Sequence, residues 1–208
     1  MYKVLFVLMI FTRSISSFSR APSKLISPKR IKEFYKDFYK KNDYTLEHVV
    51  PQSKIKKIKN NGLTNDMHNL LYYPRMLNVH RSNYKYTNDM TIYDSSLVLD
   101  EYGLTNNKGY LPEINSIKTS KKQIFCPNQK YRGAISRSCM YFLYTYEDYE
   151  EIIFNEVIDK HTLLLWHYLY PATEQEYKKN EIIQNMQGNE NIFIKDPKQL
   201  YLFMESLK

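Results

Sequence analysis

Two short β-prone stretches, each closed by a proline, constrain the fold of this chain more than any other feature. Residues 44–50 (YTLEHVV) run into Pro51, and residues 69–73 (NLLYY) run into Pro74. Proline has no N–H for a ladder, so each strand is expected to stop at its proline. Pro74 is also well placed in the first turn of a helix, expected from Arg75 to about Tyr86. A strand, a second strand and a helix are therefore the expected centre of the fold.

Helical elements surround this centre. Residues 31–40 (IKEFYKDFYK) place Ile31, Phe34, Tyr35, Phe38 and Tyr39 at helical spacing with charges between them, the pattern of an amphipathic helix. Residues 54–61 are a basic run ending in the turn signal Asn61-Gly62. Residues 87–129 carry Gly103, Gly109, Pro112 and Pro127 and are expected to form a long loop with short pieces of structure. Helices are expected at 133–149, within 149–165 and at 173–187, the last stopped by Gly188-Asn189 as a left-handed cap. A short closing helix is expected at 197–207. With 208 residues, 43% hydrophobic and 25% charged, the chain suits one globular domain with its own core. The fold class expected is α+β, a small antiparallel sheet surrounded by helices.

The formal net charge of +8 suits a polyanionic partner, nucleic acid or an acidic membrane surface, and does not decide between them. Twenty tyrosines against one tryptophan read mostly as core and surface filler, with a minority able to stack on bases. Cys126 and Cys139 match no metal-ligand spacing; one disulfide and two buried thiols both remain open. Residues 4–11 (VLFVLMIF) form an apolar run behind Lys3, followed by small residues at Ser14 and Ser16, which is the signal-peptide pattern. The run is too short to span a bilayer. No acidic residue precedes Glu33, and residues 14–32 are Ser-rich and basic, as in a transit segment. Residues 1–25 are therefore set aside as a targeting segment and residues 26–208 as the folded domain. Secretion is the main expectation, with a plastid-like organelle behind a bipartite leader as the alternative.

Three segments carry chemistry together: residues 46–53 (LEHVVPQS), residues 66–70 (DMHNL), and Asn78 with Arg81-Ser82-Asn83. Hydrolysis of a phosphodiester needs a base for the attacking water and a cation on the phosphate. A histidine supplies the base near neutral pH, and a carboxylate with an amide oxygen makes a hard donor set suited to Mg2+. Glu47 and His48, adjacent at a strand end, leave on opposite faces, and the turn after the strand can aim both into one cleft. The helix then presents Asn78, giving a ββα-metal arrangement.

These motifs resemble the endonuclease I family of periplasmic and secreted nucleases. "EHVVPQS" and "DMHNL" are similar to its two central motifs, and Asn78 stands nine residues after Asn69, where the family carries its metal-binding asparagine. Tyr131-Arg132-Gly133 with Arg137, then Trp166-His167, Glu176, Asn180 and residues 187–194 (QGNENIFI), extend the resemblance over residues 44–197. The resemblance implies His48 as general base, Glu47 and Asn78 as ligands of one Mg2+ (Ca2+ or Mn2+ as replacements), and Asn69 as a brace. It implies Arg137 as a phosphate contact and a His-Me finger core. Water would attack in line, leaving 5′-phosphate and 3′-hydroxyl ends on DNA, with RNA as a second substrate, and the enzyme would act as a monomer without stable membrane association. Lys54, Lys56, Lys57, Arg81 and Arg132 are the expected nucleic-acid contacts.

The chain departs from the family pattern at Val79-His80, where the family has Gly-Asp, and in lacking a counterpart for an extra arginine between the first two motifs. Residue 192 is isoleucine where the family has proline. Two other readings stand beside the nuclease. One is a catalytically weakened nucleic-acid-binding protein on the same scaffold; the other is a secreted structural or partner-binding module.

Overall fold

The computed structural model describes residues 21–58, 62–88, 97–100, 104–105, 116–119 and 123–206. Helix α1 (Pro28–Tyr39) begins with proline in its first turn and buries Ile31 and Tyr35. The Tyr35 hydroxyl donates to the carbonyls of Met67 and Leu70 at 2.9 and 3.0 Å, tying the helix to the centre of the fold. The chain then enters β1 (Tyr44–His48), leaves through α2 (Gln52–Ile58) and two 3-10 turns (Leu63–Asn65 and Met67–Asn69), and returns as β2 (Leu70–Pro74). The two strands pair antiparallel, with His48 opposite Leu70 and Glu47 opposite Leu71. Helix α3 (Arg75–Arg81) comes directly after β2.

Strand, strand and helix thus occur in the expected order. The helix is shorter than expected, because Ser82 adopts a left-handed φ of 54° that ends it, and the chain goes on into β3 (Lys85–Tyr86). The basic run at 54–58 lies in α2: Ile55 is buried, Lys54 half-buried, and Lys56 and Lys57 exposed.

Between residues 87 and 129, where a long loop with short pieces of structure is expected, the described residues include β4 (Leu97–Leu99), β5 (Leu104–Thr105), β6 (Ser116–Thr119) and β7 (Ile124–Cys126), which join β3 in a mixed sheet of order β3-β7-β6-β4-β5. β3 lies parallel to β7, and the other pairs are antiparallel. None of these strands is long enough for an alternating pattern to be read from a window of sequence.

Helix α4 (Gln129–Thr145) is the central post. Asn128 caps it, and Ile135, Cys139, Met140, Phe142 and Leu143 lie in the main core with Trp166, Tyr86 and Phe125. After a 3-10 turn, α5 (Glu150–Ile152) runs into a π turn (Ile153–Val157), and Asp159 caps α6 (Lys160–Leu169). α7 (Glu174–Gln187) opens with a Thr173/Glu176 capping box and stops at Gly188 with φ 89°, the left-handed cap the sequence indicates. Two short helices, α8 (Ile192–Lys195) and α9 (Gln199–Ser206), close the domain.

Gly133 marks the tightest approach of α4 to the chain after α6. A Cβ there would lie 2.2 Å from the Tyr170 carbonyl oxygen and 2.7 Å from an Arg137 nitrogen. Gly133→Ala is expected to cost about 1–3 kcal/mol by forcing the two segments apart, measured by urea unfolding. An unchanged midpoint would show that α4 and residue 170 give way easily.

Cys126 and Cys139 are buried thiols and form no disulfide. The expected leader falls on residues 1–20, outside the described residues. Residues 21–25, grouped with the leader on sequence grounds, are joined to the fold: Ser23 donates its backbone N–H and its hydroxyl to the Gln187 carbonyl at 2.8 and 3.1 Å. Among the described residues no helix is long and apolar enough to cross a membrane.

Candidate active site

The site forms where β1 ends. Alternation along the strand sends Glu47 and His48 to opposite faces, and α3 packs against the Glu47 face. Glu47 is 3% exposed. Its Oε1 accepts from Arg81 Nη1 at 2.7 Å and from the Tyr86 hydroxyl at 3.3 Å, which leaves Oε2 as the carboxylate's other acceptor. Burial lifts the Glu47 carboxyl to about 7, against the pull of Arg81 and Tyr86.

His48 is held by the segment between β1 and β2. Its Nε2 lies 2.9 Å from the Thr64 carbonyl oxygen, and a carbonyl can only accept. The neutral ring therefore carries its proton on Nε2 and keeps its lone pair on Nδ1. The Gln52 amide nitrogen lies 3.0 Å from Nε2 and 3.5 Å from Nδ1. Burial lowers the His48 pKa, and the nearby cations Arg81 and Lys56 lower it further, while the Thr64 contact works the other way. A neutral ring whose Nδ1 meets only the Gln52 amide, at 3.5 Å, is the form a general base needs.

Asn78 sits one turn into α3, half-buried, with its Nδ2 donating to the Leu46 carbonyl at 3.0 Å. That bond turns the amide so that its oxygen remains as an acceptor. Glu47 Oε2 and Asn78 Oδ1 are the oxygens that these contacts leave over near the end of β1. The donors fit a hard divalent cation, and a cation would offset the burial of the Glu47 carboxylate. No cluster of three or more His, Cys, Asp or Glu occurs among the described residues.

Asn69 does not reach toward this cleft. Its Oδ1 accepts from the Val50 N–H at 2.8 Å and its Nδ2 donates to the Val50 carbonyl at 3.0 Å. The side chain thereby fixes the exit of β1 just past His48. Behind it stands Asp66, which is fully buried. Its Oδ1 accepts from Gln187 Nε2 and the His68 N–H, and its Oδ2 from the Tyr141 and Tyr146 hydroxyls at 2.7 Å each. Gln187 Oε1 also accepts from the Met67 N–H, and His68 Nε2 faces the Asn189 carbonyl. The terminal Gln-Gly-Asn segment is thus the back wall of the second motif. His68 is a buried neutral ring, its pKa pushed down to about 4 by desolvation.

Arg81, Arg132 and Arg137, expected at nucleic acid, are buried and bonded inside the fold. Arg81 is 1% exposed and, besides Glu47, donates to the His48 and Val49 carbonyls at 3.0 and 2.8 Å, with its guanidinium 4.3 Å over the Tyr86 ring. Arg137 is 2% exposed; its Nε and Nη2 donate to Glu176 and its Nη1 to the Tyr170 carbonyl. Arg132 donates to the Pro127 carbonyl, Asn88, the Tyr170 hydroxyl and Cys126. Each guanidinium is held by fixed acceptors because an unpaired buried charge is costly. The lysines stay outside: Lys56 and Lys57 are exposed, and Lys54 and Lys57 reach Glu156.

The sequence alone assigns no role to Gln52, the Thr64 carbonyl or Tyr86. Gln52 lies inside the "HVVPQ" string, four residues after His48, which is a usable signal; the other two become visible only after folding.

An antiparallel ribbon ending in Glu-His and feeding a short helix that presents an asparagine amide makes this an α+β protein with a ββα site. The family model described as Endonuclease I matches residues 35–198, and the chain belongs to the endonuclease I family. It is similar to Endonuclease-1 of Buchnera aphidicola subsp. Acyrthosiphon pisum (strain APS), at 27% identity over 132 residues, 64% of this chain and 45% of that protein. The chain covers under half the length of that relative.

Proposed function

We propose that the protein is a Mg2+-dependent endonuclease that hydrolyses phosphodiester bonds of DNA, and of RNA as a second substrate, with little sequence preference. The observation that supports this reading is His48 at the end of β1, its Nε2 turned to the Thr64 carbonyl and its Nδ1 meeting only the Gln52 amide, with Glu47 before it on the strand and Asn78 bound to the Leu46 carbonyl. His48 Nδ1 accepts the proton of the attacking water. Glu47 and Asn78 hold the cation, and Asn69 keeps the exit of β1 in register through Val50. Bound there, Mg2+ would neutralise charge on the phosphate and on the leaving oxygen. In-line attack leaves 5′-phosphate and 3′-hydroxyl ends. Lys56 and its helix neighbours Lys54 and Lys57 supply charge for backbone phosphates without reading bases. Secretion of a monomer fits this role.

The test is nicking of supercoiled plasmid by purified protein with Mg2+, with EDTA as control and ligation of the products to identify their ends. Metal-dependent nicking with ligatable ends is expected. Salt-sensitive binding with no cleavage in any divalent metal would replace the nuclease with a binding protein.

A further inference from the structure

Helix α2 leaves the active-site strand directly and carries Gln52 against His48, so whatever α2 binds lies beside the reacting phosphate. Its basic face does not stand open. Lys54 Nζ donates to Glu156 Oε2, and Lys57 Nζ donates to both Glu156 oxygens at 2.9 Å. Glu156 comes from the π turn Ile153–Val157, about a hundred residues further along the chain. That turn is held rigidly: Lys85 Nζ donates to the Phe154 carbonyl at 2.9 Å, Ile158 forms a bridge to Tyr86, and Tyr149 donates its hydroxyl to the Ile55 carbonyl of α2. An extra residue in a helical turn shifts the side chains beyond it, and π turns recur at functional positions.

We propose that Lys54 and Lys57 form a binding subsite for a backbone phosphate of the nucleic acid, and that the Glu156 carboxylate occupies it as an internal substitute until substrate displaces it. This rests on the nuclease reading. A carboxylate and a phosphodiester each present two oxygens and one negative charge, and two ammonium groups converging on one anion suit either. The side chains of Lys57 and Glu156 are 53% and 33% exposed and that of Lys54 is 16%, so water and a polyanion approach from the Lys57 side. An ion pair as exposed as Lys57–Glu156 adds little to stability, so exchanging that contact for phosphate costs the fold little. In exchange, Glu156 returns to water with its charge intact. The device lowers affinity for nucleic acid as a whole and favours ligands long enough to bring a second phosphate to α2 while the first sits at His48.

Glu156→Gln keeps the size of the side chain and frees both lysines. Glu151→Gln is the control: Glu151 is exposed earlier in the same helical stretch and removes the same charge without releasing a lysine. Binding to a labelled duplex oligonucleotide is measured by anisotropy in Ca2+ across a salt series. Glu156→Gln is expected to bind about three- to tenfold more tightly than wild type at low salt, with a salt slope steeper by about 0.9, the value of one added phosphate contact. Glu151→Gln is expected to stay near wild type, and Lys54→Ala/Lys57→Ala in the Glu156→Gln background is expected to erase the gain. Equal tightening by both glutamine variants would overturn the subsite and leave only a general charge effect. A wild type that cleaves plasmid while Glu156→Gln binds no better than wild type would overturn this inference and leave the nuclease reading standing. A wild type that neither cleaves nor binds would remove both.

Discussion

Replacing Arg81 by methionine is expected to lower folding stability by about 3–5 kcal/mol, the cost of leaving one member of a buried ion pair without its partner. Arg81 is 1% exposed and closes the end of β1 from the α3 side. Its Nη1 serves Glu47 and the His48 carbonyl, and its Nη2 serves the Val49 carbonyl. Methionine fills most of the volume over Tyr86 but supplies none of these donors, so two carbonyls lose this donor and the carboxylate keeps only the Tyr86 hydroxyl. In a domain of this size the loss corresponds to a fall in Tm of roughly 10 °C. Thermal and urea unfolding measure it. The double variant Glu47→Leu/Arg81→Met separates structure from chemistry. It removes both charges together, so it is expected to regain much of the stability while staying inactive, because it lacks the carboxylate. A single variant within about 1 kcal/mol of wild type would show that the pair contributes little and that Glu47 is held by other means.

The same pair shows where the sequence stops being informative. Glu47, His48 and Asn78 are singled out by the family resemblance of their motifs, and strand alternation and the two prolines place them at a strand end and in the helix after it without knowledge of distant contacts. Arg81 is legible only as a positive charge near a cleft, which suggests a phosphate contact. Its burial comes from α3 lying across the ribbon and from Tyr86 stacking beneath it, neither of which is written in the residues around 81. Arg137 obeys the same logic: its helix is readable, but its partner Glu176 stands 39 residues away and is aimed by the Thr173 capping box. The mixed sheet between β3 and β7 is illegible for another reason. Strands of two to four residues derive their stability from pairing across the sheet and carry no periodic signal of their own. The Gln-Gly-Asn segment is intermediate. Its helix-stopping glycine is readable, while the work of Gln187 against Asp66 and Met67 appears only once α7 is docked.

Replacing His48 by alanine is expected to reduce Mg2+-dependent cleavage by about 10²–10⁴-fold, the usual contribution of a positioned general base. The effect should fall on kcat, because the ring touches no group that would hold substrate in the ground state: its Nε2 is committed to Thr64. The fold should survive, since the His48 backbone contacts that close β1, its carbonyl to Arg81 and its pairing with Leu70, do not depend on the side chain. The control that gives the result meaning is binding. Affinity of His48→Ala for duplex DNA in Ca2+, and its midpoint of urea unfolding, should stay near wild type while turnover collapses. A His48→Gln variant sharpens this. Glutamine can reach the Thr64 carbonyl with its amide N–H and keep the local packing, but it has no nitrogen lone pair to take a proton, so it should be as inactive as alanine. If glutamine restored turnover, His48 would be holding the β1 exit in shape, and the base would have to be sought among water molecules held by Glu47 and Asn78. If alanine itself cut as fast as wild type, the His48 ring would have no part in the reaction.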